Sequence, residues 1–261
     1  MKSVARLLRV LALVVIAFAP PLHGSPLTGA AVQTWRYNPQ AKVTTITLSN
    51  LSPKDILAYN LTITSTYEDG SSDKEEVLTD LLDRKINATL VKGTPDEARF
   101  TERFGNGTFA ARTTMDKDVA TTRAPTKMQI VVDMVVYVDQ TADVQNEGAF
   151  AQLTASRQGE LLALQLANDT TQQSLTNPNP REAAVTELMN QIQVLRDQNL
   201  ARSDPKKYEL VYLQGAVRAL ENAPSDLPVT EHMKNVIAMR QKRIALAGPH
   251  AQLTKTSGEL Q

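Results

Sequence analysis

The sequence predicts an α+β protein with its strands first and its helices second, and two changes of pattern carry that prediction. Between Val32 and Asp143 apolar residues tend to recur at every second position, the period of a pleated strand. After Asn146 they recur at every third and fourth position, the period of one helix face. A third observation precedes both: Lys2, Arg6 and Arg9 lead into the apolar run Val10 to Ala19, which breaks at Pro20 and Pro21. The expected division is a signal peptide over 1–24, a β-sandwich over 25–145, an α-helical region over 146–250 and a flexible tail over 251–261.

A positive start followed by a short apolar core is the layout of a secretory signal. The run falls well short of the about 20 residues a bilayer span requires, so no membrane span is expected once the signal is removed. Ala17 and Ala19 supply a small-x-small cleavage pattern, but Pro20 follows at once; a cut after Gly24, leaving Ser25-Pro26, fits better. The chain contains no cysteine, which excludes a lipid-anchored lipoprotein, disulfides, thiol nucleophiles and thiolate metal sites together. Animal extracellular modules usually carry disulfides, so the reading is a bacterial periplasmic or secreted protein. Lys and Arg number 28, as do Asp and Glu; removal of the signal leaves 25 against 28. That overall balance favours neither nucleic acid nor an anionic membrane, both of which select a basic surface.

Within the β region, Val43 to Leu48 is β-branched and rich in threonine. Tyr59, Leu61, Ile63, Ser65 and Tyr67 then alternate with Asn60, Thr62, Thr64 and Thr66, one set for each face of a strand. Glu68-Asp69-Gly70 provides a turn whose glycine can take positive φ. The strand Met128 to Val138 is apolar at Met128, Ile130, Val132, Met134, Val136 and Val138 and again at Val131, Val135 and Tyr137. A strand apolar on both faces is covered on both, and the helix expected after Asn146 is near enough to supply the cover through Phe150 and Leu153 over Val131, Val135 and Tyr137. The stretch Leu78 to Thr122 is ambiguous: Thr79-Asp80-Leu81-Leu82 can open a short helix, while Gly93, Pro95, Gly105 and Gly107 mark loops.

Four helices are expected after Asn146. The first carries Phe150, Leu153, Leu161 and Leu164 and ends near Asn177-Pro178-Asn179-Pro180. The second starts at Asn179 as N-cap, with Pro180 and Glu182 behind it, and carries Val185, Leu188, Met189, Ile192 and Leu195. Asp204-Pro205 opens the third, with Tyr208, Val211, Tyr212, Ala216 and Ala219; Asp226 and Pro228 open the fourth, which Gly248-Pro249 stops. Short breaks between amphipathic helices indicate an antiparallel bundle or two helical hairpins.

Few residues offer chemistry. The three histidines, His23, His232 and His250, accompany neither a G-x-S-x-G elbow nor an H-E-x-x-H zinc motif. Ser71-x-x-Lys74 and Ser203-x-x-Lys206 match the S-x-x-K spacing of serine enzymes, but S-D-N is missing and Lys255-Thr256-Ser257-Gly258 only approximates K-T-G. Asp69, Asp73, Asp139 and Asp143 cluster at two expected turns without the spacing of a calcium loop. Asp133, between Val132 and Met134, stands out because unpaired burial of a carboxylate is costly. A place near the sheet edge, or an arginine from the helical half, would account for it; the sharper reading is a catalytic acid. Trp35, beside Arg36 and Tyr37, could stack on a sugar but suits a core position equally. Five N-x-S/T sequons, starting at Asn50, Asn60, Asn87, Asn106 and Asn168, are silent in a bacterial protein.

The runs Ile46-Thr47-Leu48-Ser49-Asn50, Ile56-Leu57-Ala58-Tyr59-Asn60-Leu61-Thr62-Ile63 and Tyr67-Glu68-Asp69-Gly70 resemble the Ig-like, FxLYD-like β-sandwich domains of exported bacterial proteins over residues 43–70. The resemblance implies an antiparallel Ig-like sandwich and an adhesion or interaction role, and it carries no catalytic residue onto this chain. The expectation is an exported, non-enzymatic envelope module that binds another envelope protein or a cell-wall polymer, with no cofactor and no metal. The alternative is an envelope hydrolase using a Ser-Lys pair, such as Ser71 with Lys74, or a carboxylate such as Asp133.

Overall fold

Turn chemistry sets the course of the chain in its first half. The computed structural model describes residues 27, 29–222 and 227–256. The expected signal segment with His23, Asp226 (expected to open the fourth helix) and the Ser257-Gly258 end of the K-T-G-like motif lie outside the described residues. Strands β1 (Ala30–Asn38), β2 (Val43–Asn50), β3 (Ile56–Thr66) and β4 (Ser72–Asp80) follow one another. The β3–β4 hairpin closes where expected: Gly70 takes φ +77° and its N–H donates to Tyr67 O at 3.0 Å. The ambiguous middle stretch forms α1 (Leu82–Leu90) and α2 (Glu97–Phe104), after which β5 (Thr114–Ala120), β6 (Lys127–Tyr137) and β7 (Thr141–Val144) complete the main strands.

These strands form two open sheets, β1-β2-β5 and β4-β3-β6-β7, antiparallel at every pairing. One apolar core joins them, with Ile46 and Leu48 of β2 and Val119 of β5 packed with Tyr59, Leu61 and Ile63 of β3 and Met128, Val132 and Val135 of β6. The alternation of β3 is realised as read, since Tyr59, Leu61, Ile63, Ser65 and Tyr67 are all buried.

The two faces of β6 are assigned differently from the sequence expectation, and a β-bulge is the reason. Asn60 pairs with Met134 and Leu61 with Val132, so Asp133 is an extra residue that has no partner in β3. An inserted residue reverses the alternation beyond it. Met128 and Val132 face the inter-sheet core, but past the bulge it is Val135 and Tyr137 that do so, while Met134 and Val136 turn to the opposite face. Val131, placed by the sequence under the helix, is 36% exposed. Helix α3 (Glu147–Ser174) does lie over that second face, through Ala149, Phe150 and Leu153, but on Ala58, Met134, Val136 and Ala142.

Helix outweighs strand, at about 45% against 28%, making the whole a mixed α+β structure. Asn146 caps α3 by accepting from Ala149 N at 3.0 Å. α4 (Pro180–Arg196), α5 (Pro205–Glu221) and α6 (Val229–Ala247) follow, and both prolines take the first helical turn, where a missing N–H is harmless. Asn179 is the N-cap of α4 without a side-chain cap bond, whereas Asp204 caps α5 by accepting from Lys206 N. The core among these helices comprises Ala163, Ala167, Ala184, Leu188, Ile192, Leu195, Leu213, Val217, Leu220 and Met233. Met189 and Val211, read as inward from spacing, are 44% and 60% exposed. A Cβ on Gly159 would stand 2.3 Å from Pro205 O, so only glycine lets α3 and α5 approach this closely.

The tail is docked as far as Thr256, contrary to the expectation of a loose end from 251. Ala251 is buried, and β8 (Thr254–Lys255) adds to β7 as a parallel strand. Thr254 N donates to Gln140 O and Thr256 N to Ala142 O.

Candidate functional site

Two groups of buried polar side chains lie where the β half meets the helices, one around Asp133 and one around Arg157 and Glu160. Asp133, only 8% exposed, sits on the bulge of β6. Its Oδ1 accepts from Asn60 Nδ2 at 2.8 Å, and its Oδ2 accepts from Thr62 Oγ1 at 2.6 Å and Asn146 Nδ2 at 3.2 Å. Its main-chain oxygen, freed from the sheet ladder by the bulge, accepts from Gln145 N at 2.8 Å and Asn146 N at 3.0 Å. One residue thereby fixes β3, β6 and the cap of α3 together. No arginine supplies its charge balance in these bonds; neutral donors do. Asp133→Ala is expected to lower stability by about 1–3 kcal/mol, because it strands the buried Asn60 amide, and chemical denaturation of the variant measures it.

A second cluster links β4, α1, α3 and α6. Arg157 on α3, 3% exposed, forms a two-point bond with Asp80 at the end of β4: Nε to Oδ2 at 2.9 Å and Nη2 to Oδ1 at 2.8 Å. One turn on, the Glu160 carboxylate takes Arg243 Nε at 2.9 Å and Nη2 at 2.7 Å, and Arg243 also pairs with Asp83 of α1. Burial pushes the Glu160 carboxyl above its usual range against the pull of Arg243. His250, in the turn after α6, is shifted down by its own burial and then by the Arg157 charge. Below, α1 and α6 close on each other through Leu57, Leu82, Ile86 and Ala247. Farther along the bundle Arg240 donates to Ala167 O, Thr171 Oγ1 and Ala216 O, and burial lowers its guanidinium to about 10.

The spacing contains a signal for part of this cluster. Leu153, Arg157, Glu160, Ala163 and Ala167 share one helical face, so two opposite charges interrupt an apolar stripe at i and i+3. Arg240 and Arg243 carry no comparable mark, because their acceptors come from distant segments.

The residues singled out from sequence are dispersed. Ser71 lies in the β3–β4 turn and donates its hydroxyl to Asp69 Oδ1 at 2.6 Å, and Arg123 donates to both residues. Lys74 is exposed along β4, where it pairs in register with Thr64. Trp35 pairs with Ile46 in register and packs on the border of the inter-sheet core. Asp133, Ser71 with Lys74, and Trp35 thus occupy three separate places. Ser203 and Lys206 flank the capping Asp204. Of the sequon asparagines, Asn50, Asn60 and Asn168 are buried. Among the described residues, no group of three or more histidines and carboxylates is placed to hold a metal ion.

An open depression at the end of the β1-β2-β5 sheet is lined by Ser49, Asn50, Leu51, Arg112, Thr113 and Thr114. Its floor is rigid, since Asn50 Nδ2 donates to Lys54 O, Phe109 O and Ala110 O. Nearby, Asp55 secures the chain returning from α2, accepting from Ala111 N at 2.9 Å, Thr108 Oγ1 at 2.8 Å and Asn106 Nδ2 at 3.1 Å. Burial raises the Asp55 carboxyl, but these donors outweigh it and the net shift is downward. A carboxyl lowered by folding stabilises above its unfolded value near 3.8 and ceases to do so as pH falls through its lower folded value. Asp55→Asn is therefore expected to lose stability at neutral pH and to flatten the acid limb of the stability profile, as urea midpoints measured from neutral to strongly acid pH will report.

No family model, no curated protein and no solved structure matches this chain. Among the described residues, no helix is long and apolar enough to cross a membrane.

Proposed function

We propose that this protein is an exported, non-enzymatic module of the bacterial envelope, an Ig-like sandwich braced by a four-helix region, that binds another envelope protein or a cell-wall polymer. One observation supports this above the others: the acidic side chains that the fold encloses serve to brace it. Asp133 is filled by Asn60, Thr62 and Asn146, Asp80 by Arg157, and Glu160 by Arg243. A general acid or base needs an oxygen facing its substrate, and these oxygens face their own chain. The sandwich reading draws support from the shared core of the two sheets and from the β3–β4 hairpin at Tyr67–Ser71, which contains the Y-x-D-G pattern.

Export is tested by cell fractionation with N-terminal sequencing. The expected species lies outside the cytoplasm and begins within a few residues of Ser25. Intact Met1 or Lys2 in cytosolic protein would contradict the proposal. For the binding role, cross-linking in intact cells followed by reconstitution with the purified partner or with isolated cell wall is the direct experiment. Saturable binding to neither would defeat it.

A further inference from the structure

Helix α2 stands apart from the rest of the fold. None of its eight residues is buried, and it rests chiefly on α1. Phe100 and Phe104 lie 5.0 Å apart between ring centroids with their planes tilted by 49°, yet they belong to none of the four apolar cores. Both rings are half-buried, and what remains of their apolar surface in water carries a driving force for further burial. Cations lie against Phe104: the guanidinium of Arg103 is 5.0 Å and that of Arg84 5.2 Å from its centroid, and Arg99 on α2 and Lys92 in the loop before it are exposed. Between Arg84 and Phe104 the chain has five basic and three acidic side chains, whereas the sequence after the signal carries an acidic excess. The neutral overall charge thus conceals a local concentration of aromatic and basic groups.

Tight glycine turns bound the helix. Gly93 ahead of α2 and Gly105 and Gly107 behind it take φ +77°, +59° and +79°, and a Cβ on Gly107 would stand 2.5 Å from Arg84 O. Of the three acids, Glu97 is engaged in the first turn, accepting from Gly93 N at 2.7 Å. Beyond the second turn, the Asp55 bonds to Asn106, Thr108 and Ala111 hold the returning chain to the sheets.

We propose that α2 is a docking element for an anionic lipid surface, with Phe100 and Phe104 entering the headgroup layer and Arg84, Lys92, Arg99 and Arg103 meeting lipid phosphates. Guanidinium groups bind phosphate oxygens in pairs, and a short amphipathic helix with aromatic and basic residues lies in the plane of such an interface. Basic side chains spread over α1, the loop after it and α2 can all be met by a fluid headgroup layer, which moulds itself to them without a preformed complementary groove. This favours lipid over an acidic groove on a protein. Asp96 and Glu102 oppose the attraction, so the contact is reversible and sensitive to salt. The inference is independent of export and of the partner proposed above, and a failure of either leaves it standing.

The absence of cysteine gives a direct test. A Thr101→Cys variant of the full chain takes one environment-sensitive fluorophore on α2 itself, separating the lobe's signal from any lipid affinity of the apolar N-terminal run. Vesicles rich in phosphatidylglycerol are expected to shift the label's emission to the blue, and added salt to reverse the shift. Vesicles of phosphatidylcholine alone should leave it unchanged. Adding Phe100→Ser with Phe104→Ser, or Arg99→Glu with Arg103→Glu, should weaken the response by about tenfold or more, with the parent melting temperature retained because α2 contributes to no core. A label that stays in water on phosphatidylglycerol, responds equally to both lipids, or responds undiminished in both variants would overturn the proposal. So would photo-cross-linking from position 101 that captures only protein while the vesicle signal stays flat.

Discussion

Leu153→Ala is expected to cost about 2–5 kcal/mol and to move the unfolding of the sheets and of the bundle together. Leu153 is 1% exposed and packs on Ala58, Met134, Val136 and Ala142, all from the β half. It therefore belongs to the boundary between the two halves and not to the interior of either. Truncation removes apolar contact and leaves a cavity between α3 and a sheet that cannot shift, because Asp133 and the Asn146 cap fix their spacing. Val135→Ala, by contrast, opens a cavity between the sheets, on the other side of β6. Both variants destabilise, but only the first tests the junction. Chemical denaturation followed by a β-specific and a helix-specific signal distinguishes them.

The second large effect is expected at the Arg157–Asp80 pair. Asp80→Ala should cost about 3–5 kcal/mol, because it leaves a guanidinium 3% exposed with its principal acceptor gone. Asp80 Oδ1 also accepts from Leu82 N at 3.0 Å, so the start of α1 loosens with it. Replacing the arginine as well, in Asp80→Ala with Arg157→Met, should recover much of the loss, since the stranded charge is removed and the methionine stem retains packing. A double-mutant cycle by urea denaturation measures the coupling. Additive losses would mean that the pair is not the source of the effect.

Much of the secondary structure was legible because its signals are local. Pro180 and Pro205 mark the two helix starts, Asn146 its own cap, and Gly70 the hairpin. The faces were less legible. Alternation along β6 reads correctly as far as Val132 and is then inverted by Asp133, an insertion that only the pairing with β3 reveals. Asp133 was conspicuous as a carboxylate among apolar residues, yet its donors Asn60, Thr62 and Asn146 come from other segments that no spacing rule connects. In the same way Val211 fits the apolar rhythm of α5 but faces solvent, while Leu213 carries the core. Strand β8 consists of two exposed residues and has no propensity signal; main-chain bonds to Gln140 and Ala142 define it.

The central claim is that the two sheets and the helices after them form one cooperative unit, joined through the bulge of β6, the N-terminal turns of α3 and the two arginine clusters. The chain supplies its own probes. Its single tryptophan, Trp35, reports the β half from the border of the inter-sheet core, and the far-ultraviolet helical signal is dominated by α3 to α6. Urea unfolding followed by both signals on one sample is expected to give superimposed curves with a common midpoint, displaced equally by Leu153→Ala. Two separate transitions, with Leu153→Ala moving only one of them, would show that the halves fold independently and would contradict the account.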